Sequence, residues 1–168
     1  MTRVLLVGNG AREHAIAEAV VRSKHQPRLF SYMRHNNPGI AGLSERVMLG
    51  SYDDLESLCR FARENRIDFA VIGPEDPLNN GAVDALKAAG IPAVGPTKKL
   101  AQLETSKSFT RNLLARYGIP GNPRFRVFTS LDGVEEFLKS LDGAVVKPDG
   151  LTGGKGVLVQ GDHFQTVE

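Results

Sequence analysis

Short apolar runs alternate with helical periods along the first 96 residues, and this alternation limits the possible folds more than any other feature of the chain. Residues 4–7, VLLV, read as a buried strand; Gly8-Asn9-Gly10 interrupts it, and a helical period follows over 11–23. A second strand is expected at 28–32, then a polar loop containing proline and glycine, then a short third strand at 47–49. Over 53–65, Leu55, Leu58, Cys59 and Ala62 fall on one helical face, with Asp53 as the expected N-cap. A strand at 69–72, a helix at 81–89 and a strand at 92–94, ended by Gly95-Pro96, complete the series. Strands alternating with helices at this spacing predict an α/β fold: a Rossmann-like parallel sheet with helices on both faces.

Beyond residue 99 the pattern changes. A helix is expected over 100–117, with Phe109, Leu113, Leu114 and Tyr117 on a common side. GIPGNP at 118–123 is a cluster of helix and strand breakers and reads as a linker. A strand at 124–128, a helix at 130–141, a strand at 144–147, a glycine-rich loop and a strand at 157–159 follow. Two domains are therefore expected, 1–99 complete and 100–168 incomplete.

Composition excludes several classes. The net charge of +2 comes from 21 basic and 19 acidic residues without a basic stripe, so nucleic acid is not an expected partner. No apolar run reaches membrane-spanning length and the N-terminus does not read as a signal peptide, so a cytoplasmic protein without membrane contact is expected. Cys59 is the sole cysteine; no intramolecular disulfide is possible, and its place on an apolar helical face suits a structural thiol. His25, His35 and His163 have no metal-ligand spacing.

Two glycine loops carry the chemistry. The first, Gly8-Asn9-Gly10-Ala11-Arg12-Glu13, leaves a strand and opens a helix, where a dinucleotide fingerprint would lie. Glu13 stands in place of the third glycine, and LFSYMRHNN at 29–37 offers no acidic residue for a ribose, so NAD is disfavoured. Anion binding at the helix N-terminus, NADP binding with Arg34 on the 2′-phosphate, and a simple tight turn all stay open. The second loop lies in KPDGLTGGKGV, 147–157. A phosphate-binding G-x-x-x-x-G-K-[ST] loop is excluded: Asp149 replaces its first glycine, Gly156 its hydroxyl residue, and a strand follows instead of a helix. Gly150, Gly153, Gly154 and Gly156 within seven residues would weaken an ordinary hairpin, whereas a glycine hairpin can close over a nucleotide with lysines neutralising the phosphates.

GNGAREHA (8–15), GPEDPL (73–78), LETSKSFTR (103–111) and VVKPDGLTGGKGV (145–157) together resemble the phosphoribosylamine–glycine ligase family, also called glycinamide ribonucleotide synthetase, of the ATP-grasp superfamily. The resemblance covers essentially the whole chain, but family members are much longer, so it concerns their N-terminal part. It departs at HNNPGIAG, 35–42, where many members carry P-G-N-A-G. The resemblance implies a pre-ATP-grasp domain followed by the start of an ATP-grasp domain. It implies ligation of glycine to 5-phosphoribosylamine through glycyl phosphate, with ATP and Mg²⁺ or Mn²⁺ in the full-length enzyme. It gives Lys107 and Lys147 to the ATP phosphates, Gly150, Gly153, Gly154 and Gly156 to the covering loop, and Lys155 a supporting part. Gly8, Asn9, Gly10, Arg12, Glu13, His14 and Glu75 fall to the phosphoribosylamine side. Metal ligands are expected beyond Glu168, and the 168-residue chain alone is expected to be inactive, with a missing C-terminal portion as a possible partner; a non-catalytic partner module is the alternative. His14 also suits a core position, Glu13 a helix cap, Lys107 a solvated helix face and Glu75 a turn.

Overall fold

The computed structural model describes residues 1–166, which divide into two compact units, the first 1–101 and the second beginning at 102. In the first unit β1 (Arg3–Val7), β2 (Arg28–Met33), β3 (Arg46–Leu49), β4 (Phe69–Ile72) and β5 (Ala93–Val94) form one five-stranded sheet in the order β3-β2-β1-β4-β5. Every pairing is parallel, with Val7 opposite both Tyr32 and Ile72. The chain builds outward from β1 to β3, then returns to lay β4 on the other side of β1. That reversal leaves a crevice at the carboxyl ends of β1 and β4, where open parallel sheets place their ligands.

The strands' period of two sorts their side chains onto two faces. Leu5, Val7, Phe30 and Tyr32 face one core cluster, which Leu58, Phe61 and Ala62 of α3 (Leu55–Glu64) and Val83 and Leu86 of α5 (Ala82–Ala88) complete. Leu6, Leu29 and Met33 face the other, with Ala17 of α1 (Ala11–Val21) and Ile40 of α2 (Pro38–Leu43). The fold class expected from the alternation is present. Cys59 is buried in the first cluster, and burial pushes its thiol pKa up.

Several local expectations are corrected. Asp54, not Asp53, caps α3, its carboxylate accepting the Ser57 N–H at 2.9 Å. The polar loop after β2 contains α2, started by Pro38 in its first turn and capped by Asn37. A further short helix, α4 (Glu75–Asn80), precedes α5.

In the second part, the helix expected over 100–117 is two helices, α6 (Lys98–Thr105) and α7 (Lys107–Arg116). Ser106 separates them with extended backbone, φ −132° and ψ 112°, and caps α7 by accepting the Phe109 N–H at 3.2 Å. Residues 124–128 form no strand, and the following helix is confined to α8 (Val134–Lys139). Val145–Val146 (β6) and Leu158–Val159 (β7) pair antiparallel, so the glycine loop is the connection of a hairpin, as its context predicts.

Candidate functional site

At the carboxyl end of β1 the ladder continues into both flanking loops. Gly8 N–H donates to Tyr32 C=O and Gly73 N–H to Val7 C=O, each at 3.0 Å. Gly8 has φ +137°, a region glycine enters without penalty. Glu13, from the first turn of α1, is only 3% exposed, and its side chain runs between these two loops. A Cβ on either Gly8 or Gly73 would stand 2.4 Å from Glu13 Cγ, so both glycines are required to admit it. Its carboxylate accepts Gly10 N–H at 2.7 Å and Arg12 Nε at 3.0 Å. The residue that replaces the fingerprint's third glycine is thus an internal carboxyl group, and it occupies the N–H of the helix cap, one of the groups a phosphate would use.

Arg12 continues the chain of charge, its Nη1 donating to Glu75 Oε1 at 3.1 Å. The hydrogen bond to Glu13, then that to Glu75, raises the Arg12 pKa. Glu75's own backbone N–H, then Arg12, holds the Glu75 carboxyl below its ordinary range. His14 is turned elsewhere: it lies over α2, where a Cβ on Gly39 would come within 2.2 Å of imidazole Cε1, and it stands 3.7 Å from Glu18.

Beside this arrangement is a cavity of about 240 Å³, lined by Asn9, Gly10 and Glu13 from the first loop and by Arg34, His35 and Tyr52. Asn9 is fixed twice: its C=O accepts Asn37 Nδ2 at 3.1 Å and its Oδ1 accepts the Tyr52 hydroxyl at 2.5 Å. Burial raises the Tyr52 pKa, which keeps that hydroxyl a donor. The Arg34 guanidinium lies 4.6 Å from the Tyr52 ring centroid and donates to Asp76 Oδ2 at 2.9 Å. An Arg34 held this way is already engaged, unlike the open cation that a dinucleotide 2′-phosphate would need. His35, Tyr52 and Asp76 were not selected from the sequence. Their only signal was polarity in segments between strands, and the fold alone brings them together.

In the second unit the hairpin and α7 are joined at their bases. Lys107 Nζ donates to Gly150 C=O at 2.7 Å. Asp149 accepts Ser108 N–H at 3.1 Å and Ser108 Oγ at 2.5 Å. These bonds, the Ser108 hydroxyl foremost, pull the Asp149 carboxyl down to about 2. Gly150, Gly153, Gly154 and Gly156 all have positive φ, between +58° and +81°. Lys147 and Lys155 are exposed, and neither side-chain ammonium hydrogen-bonds or pairs with an acid among the described residues. Two unpaired ammonium groups beside a backbone rich in accessible N–H donors can hold an anion of high charge.

Solved structures share this architecture. One is the ADP complex of an N5-carboxyaminoimidazole ribonucleotide synthetase, with a TM-score of 0.76 and 17% identity over 95% of this chain and 41% of that one. Another is phosphoribosylglycinamide synthetase from Anaerococcus prevotii, with a TM-score of 0.65 and 12% identity over 94% of this chain and 38% of that one. The fold is that of an N-terminal domain leading into an ATP-grasp domain. Residues 2–104 match the phosphoribosylglycinamide synthetase N domain and residues 105–168 the phosphoribosylglycinamide synthetase ATP-grasp (A) domain. The phosphoribosylamine–glycine ligase of Methanosarcina barkeri is 47% identical over 166 residues, 99% of this chain and 38% of that relative. The chain belongs to the phosphoribosylamine–glycine ligase family and spans about 38% of the length of such relatives. Among the described residues no helix is long and apolar enough to cross a membrane.

Proposed function

We propose that this chain supplies two of the binding surfaces of an ATP-dependent ligase that joins glycine to 5-phosphoribosylamine. The observation that carries the reading is the 47% identity to a phosphoribosylamine–glycine ligase along 99% of the chain. In this reaction the glycine carboxylate takes the terminal phosphoryl group of ATP and becomes glycyl phosphate, releasing ADP. The amine of phosphoribosylamine attacks the acyl carbon, the amide C–N bond forms, and phosphate leaves. The amine gives up a proton in that step. Negative charge must be neutralised on the transferring group and water kept from the acyl phosphate.

Residues 1–99 are assigned to phosphoribosylamine and 100–168 to ATP. Lys107 and Lys147 carry the charge for the phosphates, Lys155 adds to it, and Gly150, Gly153, Gly154 and Gly156 present backbone N–H groups. Their positive φ values and the unpaired state of Lys147 and Lys155 support this assignment. In the first unit Gly8, Asn9, Gly10 and Glu75 face the phosphoribosylamine, with Glu75 as acceptor for its amine or hydroxyls. Glu13 and Arg12 hold that surface in place, and His14 supports α2. The described residues contain no group of three or more His, Cys, Asp or Glu side chains that could hold a metal, so no step is assigned here to Mg²⁺ or Mn²⁺. A cytoplasmic location fits such a reaction.

The test is a turnover assay on the full-length protein that carries this sequence, with ATP, Mg²⁺, glycine and freshly made phosphoribosylamine. Glycinamide ribonucleotide and ADP in equal amounts are expected. ADP formation independent of phosphoribosylamine, or none, would refute the assignment. The 168-residue chain alone is expected not to turn over.

A further inference from the structure

We propose that Asp149 is a positioning residue that bolts the base of the glycine loop to the start of α7, and so sets Lys107 for the phosphates; the inference rests on the lysine assignment above. Ser106 already supplies α7 with a side-chain cap through the Phe109 N–H. A second acceptor arrives from far along the chain. The Asp149 carboxylate takes the Ser108 N–H at 3.1 Å and the Ser108 hydroxyl at 2.5 Å, and lies 3.2 Å from Ser106 Oγ. The next residue, Gly150, gives its carbonyl to Lys107 Nζ. Three consecutive residues, 106–108, therefore grip two consecutive residues, 149 and 150.

The grip stops there. Among the described residues, the hydrogen bond made within 151–156 is Lys155 N–H to Thr152 C=O at 3.0 Å, internal to the loop. Cβ atoms built on Gly153 and Gly154 would meet nothing within 4 Å. The loop has a fixed base and an open tip, the division a loop needs if it is to admit a charged ligand and then cover it.

The choice of partners matters for charge. Asp149 spends its charge on the N-terminus of a helix, where an anion is favourable, and no ion pair joins it to Lys107 or Lys147 among the described residues. Lys107 is held by a neutral carbonyl instead. A phosphate oxygen brings an opposite charge that the neutral carbonyl lacks, so it can take the ammonium from Gly150 while the Asp149 bolt stays closed.

The experiment compares D149A, D149N, S108A and K107A with the unaltered full-length protein, reading KM for each substrate and kcat, with circular dichroism of each variant for fold. D149A is expected to raise KM for ATP about tenfold or more, the scale of a lost positioning contact. KM for glycine and for phosphoribosylamine should stay within about twofold, since those surfaces do not rest on the bolt. D149N keeps an acceptor for the Ser108 N–H and should recover part of the loss; S108A, which leaves the carboxylate in place, should shift ATP in the same direction by less. An unchanged KM for ATP in D149A with a strongly impaired K107A overturns the proposal and leaves the function standing. Equal rises in all three KM values, without recovery in D149N, also overturn it. An unimpaired K107A refutes the lysine assignment and this proposal together.

Discussion

Glu13 is a carboxyl group placed where almost no water reaches it, a position that costs several kcal/mol unless the group is hydrogen-bonded. Each oxygen accepts one hydrogen bond, and no buried side-chain nitrogen or oxygen among the described residues lacks a partner. The space it occupies depends on Gly8 and Gly73, which yields a direct test. Gly73→Ala drives a methyl group into Glu13 Cγ and should destabilise the protein by about 1–3 kcal/mol in urea unfolding. In an E13A background the same change should cost much less, because the clash is gone; equal costs in the two backgrounds would show that the glycine serves something else. Asp149 offers a second test at this scale. Its pKa is depressed to about 2, so its contribution is complete above the ordinary carboxylate value and is lost as pH falls through about 2. The Ser108 amide resonance should follow that titration with a midpoint near 2, and a midpoint near the ordinary value of about 3.9 would mean the contact does not form in solution.

Among the elements, the five parallel strands could be read from the sequence because each is a short apolar run with a helix or turn on either side. The helical period over 100–117 was equally visible, but the break at Ser106 was not. A lone serine in phase with its neighbours gives no signal, and the partner that makes its backbone departure useful, Asp149, is brought there only by the fold. Ser106→Ala should cost about 1 kcal/mol as a lost N-cap and speed hydrogen exchange at the Phe109 amide. Unchanged exchange there would mean the bond to Phe109 carries no weight. Residues 124–128 carry the apolar residues of a strand, but a strand needs a partner ladder and none is offered among the described residues. The α2 start was legible in principle, since Asn37 followed by Pro38 is a helix-start signature. The candidate residues divide in the same way. The glycines of both loops were legible as short clusters between elements, and all but Gly10 have the positive φ that selects glycine, while Tyr52, Asp76 and the inward turn of Glu13 depend on residues distant in sequence.

For the molecule as a whole, the two units differ in how much core they own. Both apolar clusters lie within residues 1–101, while in the second unit Ala144 is the buried hydrophobic residue among those described, and α7 and α8 bury none. Limited trypsin digestion should therefore cut first beyond Tyr117, at Arg124 or Lys155, and leave the first unit intact. Early cuts within α1 would contradict this division of stability. In the proposed function the two glycine loops serve different substrates of one ligation. The most direct measurement is steady-state kinetics of K147A and Glu75→Gln in the full-length protein, with ATP and phosphoribosylamine varied separately. K147A should lower kcat/KM for ATP by about a hundredfold or more, the cost of removing a phosphate-neutralising cation, with KM for phosphoribosylamine little changed. Glu75→Gln should do the reverse. If both variants impair the two substrates alike, or K147A keeps near-normal use of ATP, the claim is wrong.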